Sequence, residues 1–287
     1  MKRVTIWLIA TLLTTATAAA QVVTAVSQKF QFMPSALPKH EVRDSTLLVA
    51  NYHFSYPTDN FKDGLSQLQD DITVQLSPTM SKTFSRNMHL LDRNKSYGER
   101  NNVRFRLDYN DFEYFYDMKS MEYTVERRIP YSPILYGSTQ VVEYTNPIEI
   151  PLWSIEQTSE SLLGYSCMKA TGRVGGRQWS VWFTTEIPAI ANLWLFGGLP
   201  GLVLKAEDSQ GLFRFECYSV RQTTEPICYY RWQPTKMSKT EWLETEKKIY
   251  SSPRDYFSLD GGLQVIGLDS GLLQGEWSVR YAPLELE

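Results

Sequence analysis

Few residues of this sequence have the types and spacing that enzyme chemistry requires. The three histidines, His40, His53 and His89, stand far apart and form no HxH or HExxH pattern, so a zinc site would have to be assembled from distant segments. The run GLDSG at residues 267–271 places its serine one position too late for the GxSxG nucleophile motif. GxGxxG and GxxxxGK(S/T) phosphate loops are absent from the sequence. The sequence therefore predicts no metal, no cofactor and no catalytic residue.

Acidic residues are the remaining candidates for acid–base chemistry. Asp70 and Asp71 are adjacent carboxylates of the kind that serve as general acid and base. Neighbours on a strand point to opposite faces, however, so the pair would not converge on one substrate. Glu186 lies beside the loop that leads to an apolar turn, and a solvent-facing residue at a strand end is its simpler interpretation. A hydrolase whose site is built from such scattered groups is the alternative function.

The apolar turn is the stretch FGGLPGLVL, residues 196–204. Its Pro200-Gly201 pair predicts a type II turn, because proline presets φ near about −65° and glycine accepts the positive φ that follows. Since both sides of the turn are apolar, it is either buried or held out to meet a ligand, lipid or partner, and burial is the simpler interpretation. In the second case the contact residues would be Trp194, Phe196, Leu199, Pro200, Gly201 and Leu202.

Alternating apolar residues predict that strands position this turn. Trp179, Val181 and Phe183 fall on one face of a run, and Gly175-Gly176 before it is typical of a two-residue hairpin turn. Together with a turn at residues 208–211, this pattern predicts an antiparallel meander over residues 161–233. Further strand candidates, in chain order, are residues 47–56, 71–76, 103–107, 112–116, 122–126, 141–145 and 153–157.

One helix interrupts the strands. Residues 237–250 carry Ser238 followed three residues later by Glu241, the spacing of a capping box, and Pro253 is expected to end the helix. Glycines at 261, 262, 267, 271 and 275 suggest a final pair of strands with tight turns. The fold class predicted is mainly β: a single domain of antiparallel meander strands forming a strongly curved sheet or half-barrel, with few helices. The open half-barrel of the LolA-type lipoprotein carriers is an architectural analogy without functional weight.

The cysteines bear on the fold and on the compartment. Cys217 and Cys228 are equidistant from a turn centred between residues 222 and 223, so they would face each other if residues 212–233 form a hairpin. A disulfide between them is the prediction for an oxidising compartment. Cys167 would then be a buried small residue or an intermolecular partner.

Residues 1–20 have the order of a secretory signal. Lys2 and Arg3 precede a ten-residue apolar run, and Ala18-Ala19-Ala20 supply small residues for cleavage after Ala20. The run is shorter than the roughly 20 residues of a membrane-spanning helix, and no cysteine follows the cleavage site. A single mature domain, residues 21–287, is therefore expected in the periplasm or outside the cell, with no transmembrane anchor.

Composition excludes other classes of protein. Losing the two positive charges of the signal takes the net charge from −3 to −5, which disfavours nucleic-acid binding. With 43% hydrophobic and 13% aromatic residues, the chain is able to bury a core and is not disordered. The interior contains no Pro-, Gly- or Ser-rich linker, which favours one domain.

Four segments resemble the GLPGLI family in order and spacing: LGYSCMKAT at 163–171, GRQW at 176–179, WFTTEIP at 182–188 and GLPGLV at 198–203. The strongest match covers residues 152–221, and a weaker one includes SKTF at 81–84 on a predicted strand. Val203 replaces the final isoleucine of the hexapeptide, and Ala191-Asn192 stands where members have Gly-Pro, so the loop shape is expected to differ. The resemblance implies a secreted or envelope protein of Bacteroidota, from a family without an established activity.

The sequence thus predicts a non-enzymatic envelope protein that binds an apolar small molecule, lipid, peptide or envelope protein in its concavity. A hydrolase and a structural or interaction protein whose apolar turn is simply core are the alternatives. Binding predicts an apolar pocket of roughly several hundred Å³. Catalysis predicts a cluster of acids or hydroxyls with perturbed pKa values.

Overall fold

A computed structural model describes residues 36–57, 67–96, 110–129, 140–251 and 283–287. Its strands are β1 (His40–Ser45), β2 (Leu48–Pro57), β3 (Gln67–Leu76), β4 (Met80–Ser85), β5 (Glu113–Asp117), β6 (Glu122–Arg128), β7 (Val141–Pro147), β8 (Ser154–Leu162), β9 (Tyr165–Val174), β10 (Arg177–Thr184), β11 (Leu202–Asp208), β12 (Arg214–Gln222), β13 (Pro226–Tyr230) and β14 (Thr235–Lys236). Its helices are α1 (Arg86–Ser96) and α2 (Lys239–Ser251). The predicted signal peptide, strand 103–107, helix stop at Pro253, glycine-rich strand pair and GLDSG run lie outside the described residues.

One twelve-stranded sheet dominates the described part of the chain. Its strand order is β14-β7-β6-β5-β4-β3-β2-β12-β11-β10-β9-β8, so two antiparallel meanders, β2 to β7 and β8 to β12, join where β2 pairs with β12. The short strand β14 runs parallel to β7 and makes the sheet mixed. A separate two-stranded sheet consists of β1 and β13. The predicted mainly β, curved architecture is confirmed, and the sheet does not close into a barrel.

Alternation predicted the inward face of the sheet correctly. Trp179, Val181 and Phe183 are fully buried, as are Phe215 on β12 and Tyr52 on the adjoining meander. The rings pack against one another at centroid distances such as 6.2 Å for Trp179 and Phe215. Burial of these large side chains supplies most of the driving force for the fold. The core therefore lies along the inner face of both meanders.

The local signals were confirmed where they depend on neighbouring residues. The predicted strands 47–56, 112–116, 122–126 and 141–145 correspond to β2, β5, β6 and β7, with starts that agree within one residue. Gly175 and Gly176 have φ of +54° and +75° in the β9–β10 turn. In the capping box of α2, the Glu241 carboxylate accepts the Ser238 N–H at 2.6 Å, and the Glu241 N–H donates to Ser238 Oγ at 3.2 Å.

The last part of the predicted meander is wrong. Residues 212–233 do not form a hairpin, because β12 pairs with β2 and β11 whereas β13 pairs with β1. Cys217 consequently faces Tyr52, and Cys228 faces Val42. All three cysteines are free thiols, so the predicted disulfide between Cys217 and Cys228 is wrong as well. The helix α1 and the strands β1 and β14 were not predicted.

Candidate functional site

The apolar turn lies inside the protein. Residues 188–201 form a loop on the inner face of the sheet, and Phe196 contacts both Trp179 and Trp194 at centroid distances of 5.0 and 5.1 Å. Five of the six proposed contact residues are buried, namely Trp194, Phe196, Leu199, Gly201 and Leu202, and Pro200 is exposed. The concavity that the sequence suggested for a ligand is therefore filled by this loop.

The geometry of the turn differs from the type II prediction. Gly201 does not have a positive φ; that conformation belongs to Gly198, at +81°, and to Trp194, at +50°. The chain reverses at residues 193–196, where the Phe196 N–H donates to the Leu193 carbonyl at 3.0 Å. A glycine is needed at 201 for a different reason: a Cβ there would lie 1.9 Å from the Thr184 carbonyl oxygen.

Asn192 anchors the loop to the sheet. Its Nδ2 donates to the Gly201 carbonyl at 2.8 Å, and its Oδ1 accepts the N–H groups of Leu193 and Val203, both at 3.1 Å. The Ser81 hydroxyl donates to the Asn192 carbonyl at 2.7 Å. Asn192 is thus the hydrogen-bonding centre of the loop.

Asn192→Ala is expected to lower the free energy of unfolding by about 3 kcal/mol, because one carbonyl and two N–H groups lose their partners in the core. Urea unfolding followed by tryptophan fluorescence measures the effect. Gln178→Ala, on the exposed side of β10, is the control and is expected to change stability by less than about 0.5 kcal/mol. Equal effects of the two substitutions would contradict the anchoring role.

The acids considered for catalysis are separated by the fold. Asp70 is buried, and its carboxylate accepts Asn87 Nδ2 at 2.9 Å and the Asn110 N–H at 2.8 Å. Burial raises its pKa. Asp71 points to the other side of β3, where it lies 3.0 Å from His53 Nδ1. Glu186 is exposed and accepts the Ser166 N–H at 2.7 Å. Among the described residues, no group of three or more His, Cys, Asp or Glu side chains could hold a metal ion.

A groove lies beside the β7–β8 connection, which links the two meanders along the chain. We call it the seam; it is lined by the β7–β8 connection (residues 146–152), the β9–β10 turn (residues 173–176) and α2. It contains a cavity of about 1170 Å³, with Ile150 and Leu243 among its apolar walls and Glu244 and Lys247 among its charged ones. Leu195, from the buried loop, contributes to the lining of the cavity. The loop of residues 188–201 thus touches the cavity from inside the core through Leu195.

An extended segment of the chain, residues 283–287, lies in the seam. The Leu286 N–H donates to the Gly175 carbonyl at 2.9 Å, and Arg177 Nε donates to the carbonyls of Pro283 and Leu284, both at 3.1 Å. A Cβ on Gly176 would lie 2.7 Å from Leu286 Cβ. The glycine pair that forms the hairpin turn therefore also lets a second piece of backbone approach it closely.

The centre of this segment is a buried carboxylate. Glu285 is 3% exposed, and its oxygens meet the hydroxyls of Tyr114 and Tyr144 and, at 2.8 Å, Lys239 Nζ. The two tyrosines donate from the inner face of β5 and β7, and Lys239 extends from the first turn of α2. Burial is the main cause that raises the pKa of both tyrosines, and the nearby Glu285 charge adds to it. We call Tyr114, Tyr144 and Lys239 together the carboxylate receptor.

A cluster of acids lies on β5, β6 and β7, on the face of the sheet opposite the carboxylate receptor. Glu113, Glu126 and Glu143 stand directly across from one another on β5, β6 and β7. We call them the acid ladder. Lys82 pairs with Glu113 at 2.7 Å, and the Tyr229 hydroxyl of β13 donates to Glu143.

Glu126 occupies the centre of the ladder. It is 2% exposed, and neither of its carboxyl oxygens has a hydrogen-bond partner among the described residues. Burial, with the neighbouring Glu113 and Glu143 carboxylates, raises its pKa to about 9. Glu126 is consequently neutral at pH 7, since a protonated carboxyl avoids the cost of a buried, unpaired charge.

The sequence reasoning missed both clusters. Glu285 stands in an ordinary PLELE run, and the carboxylate receptor combines residues from three distant elements. The ladder had a signal, because three successive strands each carry a glutamate on the face opposite their core aromatic residues. That signal would have indicated a solvent-facing row, since alternation does not report a second layer.

Comparisons with known proteins include a distant likeness to solved structures. No family model matches the chain, and no curated protein matches it. Two solved structures of PNGF-II, determined in different space groups, are similar at 15% sequence identity, with TM-scores of 0.47 and 0.46. The likeness covers 69% of this chain and 32% of the PNGF-II chain, so this chain spans about a third of the length of those proteins. At these values the likeness carries no argument about activity.

Proposed function

We propose that this chain is a secreted or envelope protein of the GLPGLI family that binds extended peptide segments in the seam and does not catalyse a reaction. The secretory signal at residues 1–20 and the family resemblance support the compartment. In the part of the chain that the structure describes, no helix has the length and apolarity needed to cross a membrane. The ligand site proposed is the seam, not the apolar turn, because the turn is packed in the core.

One observation carries the proposal: the seam already holds an extended segment through its backbone and through one acidic side chain. Arg177 and the Gly175 carbonyl recognise backbone atoms of residues 283–287, which does not depend on sequence. The carboxylate receptor recognises a Glu side chain, and this contact depends on the sequence of the bound segment. Main-chain hydrogen bonds for affinity and a pocket for one side chain are the pattern of strand-type peptide recognition.

The ligand class follows from these contacts. It is a peptide with a carboxylate side chain between two apolar residues, as in the sequence of residues 284–286. The cavity of about 1170 Å³ beside the segment provides room for further residues of a ligand. The protein's own segment competes with any such ligand, because an attached segment has an effective concentration in the mM range.

The test uses a fluorescent peptide with the sequence PLELE and the full chain carrying Glu285→Ala, which weakens its own segment. The peptide is expected to bind this variant saturably, and roughly tenfold less tightly when Lys239→Ala is added or when the central Glu of the peptide is Ala. Glu287→Ala is the matched control, since Glu287 forms an exposed pair with Arg173 and its loss leaves Glu285 in place. Failure of the peptide to bind, or equal binding of the Ala peptide, would refute the proposal.

The same mixtures separate binding from hydrolysis. A binding protein returns the peptide with its mass unchanged after prolonged incubation, whereas a hydrolase returns fragments. Mass spectrometry of the recovered peptide therefore distinguishes the proposed function from the alternative enzyme.

A further inference from the structure

The acid ladder is covered by a layer that, in the described residues, shares no strand pairing with the sheet below it. The covering layer is the two-stranded sheet of β1 and β13, which we call the flap. Within the described residues its two strands pair only with each other. An isolated two-stranded ribbon is marginally stable in water, so the flap depends on its contacts with the large sheet.

Two of those contacts involve the ladder. Tyr229 donates its hydroxyl to Glu143 and packs its ring against Phe115 at a centroid distance of 5.3 Å. Lys82 Nζ, already paired with Glu113, donates to the Cys228 carbonyl at 2.9 Å. Two of the attachments of the flap therefore involve immediate neighbours of Glu126, and others lie further away, where Ser77 Oγ donates to Asp44 at 2.6 Å and Gln75 Nε2 donates to the Pro226 carbonyl at 3.5 Å.

We propose that the flap and the acid ladder form a proton-controlled latch: the flap closes over the ladder while Glu126 is protonated and lifts from it when that proton is lost. The latch lies on the face of β5 to β7 opposite the carboxylate receptor, and it does not rest on the proposed peptide-binding function.

The charges around Glu126 explain why ionisation would open the flap. The titratable and charged groups that face this region are Lys82 from β4, Glu113 from β5, Arg128 from β6, Glu143 from β7, Lys236 from β14, Tyr229, Tyr230 and Cys228 from β13, Arg43 from β1, and His89, Asp92 and Arg93 from α1. Lys82 is committed to Glu113, and Arg128 to Asp92 at 3.0 Å. Among the described residues, an ionised Glu126 would thus face two further carboxylates without a cation of its own.

Contact with water is then the remaining way to stabilise the ionised Glu126 carboxylate. The flap is the layer over Glu126 that gives way most easily. The strands on either side of Glu126 are held by continuous backbone pairing, from residue 113 to 117 on β5 and from 141 to 147 on β7. In the described residues, lifting the flap leaves the backbone pairing of β5, β6 and β7 intact, because β1 and β13 pair with none of them. The raised pKa of Glu126, about 9, agrees with a closed state that retains the proton at neutral pH.

The experiment is limited proteolysis of the full chain at pH 7, 8 and 9 with a broad-specificity serine protease whose rate is normalised to an unstructured peptide. Cleavage sites are mapped by mass spectrometry in β1 and β13, with β9 as internal reference. If opening releases one proton, the open population and hence flap cleavage rise about tenfold per pH unit while β9 stays protected. Glu126→Gln is expected to abolish this dependence, and Glu122→Gln, on the exposed end of β6, is expected to keep it.

Two results would overturn the latch: an equal rise in the natural chain and in Glu126→Gln, or a parallel rise of cleavage in β9, which would indicate global unfolding. Tyr229→Phe gives a second test that does not depend on Glu126→Gln folding. It removes the tie to Glu143, so flap cleavage at pH 7 is expected to increase with the same pH slope. Unchanged cleavage in Tyr229→Phe would also overturn the proposal.

Discussion

Glu126→Gln is expected to make the protein more stable than the natural chain at pH 8, by an amount that grows steadily from pH 5. The pKa of Glu126 is raised from 4.5 to about 9 in the folded state. Its contribution to stability is therefore fully present below the unfolded pKa and is lost as pH rises toward the folded one. In that window the folded protein keeps a proton that the unfolded chain releases, which lowers the free energy of unfolding by about 1.4 kcal/mol per pH unit.

Glutamine is neutral at every pH, so the free energy of unfolding of the variant does not fall in this way as the pH rises. The difference in unfolding free energy between variant and natural chain is expected to rise by several kcal/mol between pH 5 and pH 8, on the order of the slope above. Urea unfolding at four pH values measures it, and all other titrating groups cancel in the difference. Glu122→Gln, the same substitution at an exposed position of β6, should give a difference that is flat with pH. A flat difference for Glu126→Gln would show that Glu126 is ionised in the folded protein.

The second large effect is expected from Gly201→Ala. The new methyl group would lie 1.9 Å from the Thr184 carbonyl oxygen and 3.0 Å from Thr185 Cα. Backbone cannot move aside here, because Thr184 pairs with Leu202 between β10 and β11. The clash is relieved if the loop 188–201 leaves the core together with Phe196. The free energy of unfolding is therefore expected to fall by about 3 kcal/mol or more.

Two neighbouring substitutions separate this clash from general loop effects. Gly211→Ala has open space for its methyl group and suffers only from a φ of +67°, which costs about 1–2 kcal/mol. Pro200→Ala, at an exposed position, should change stability by less than about 1 kcal/mol. Thermal and urea unfolding rank the three variants. Gly201→Ala no more destabilised than Gly211→Ala would mean that the apolar turn is not packed as described.

The apolar turn shows how far sequence reasoning can reach at one site. Its burial was the simpler of two interpretations and is what the structure shows. The turn type was wrong, because the pattern Pro-Gly reports a local φ preference, whereas position 201 is decided by a strand 17 residues earlier in the chain, at Thr184. Asn192 was noted only as a departure from the family. Its hydrogen bonds to Gly201 and Val203 connect residues that no local pattern links.

The disulfide prediction failed for a related reason. Equal spacing of Cys217 and Cys228 from a turn is informative only if their segments pair, and short sequence separation made that pairing the simplest choice. In the structure β13 finds its partner in β1, about 180 residues earlier in the chain. Strand partners depend on which exposed edges and faces remain after the large sheet has formed, and a sequence read segment by segment does not contain that information.

Features whose causes are local follow from the amino-acid sequence alone. Alternation placed Trp179, Val181 and Phe183 inward, paired glycines made the β9–β10 turn, and Ser238 with Glu241 began α2. The layer that covers each face depends on how distant elements pack in three dimensions. Val125 and Glu126 are neighbours on opposite sides of β6, and both are buried, one by the core and the other by the flap. Period-two alternation tells the two faces apart, but a second layer is formed by distant residues, and that layer turns a surface glutamate into a buried acid.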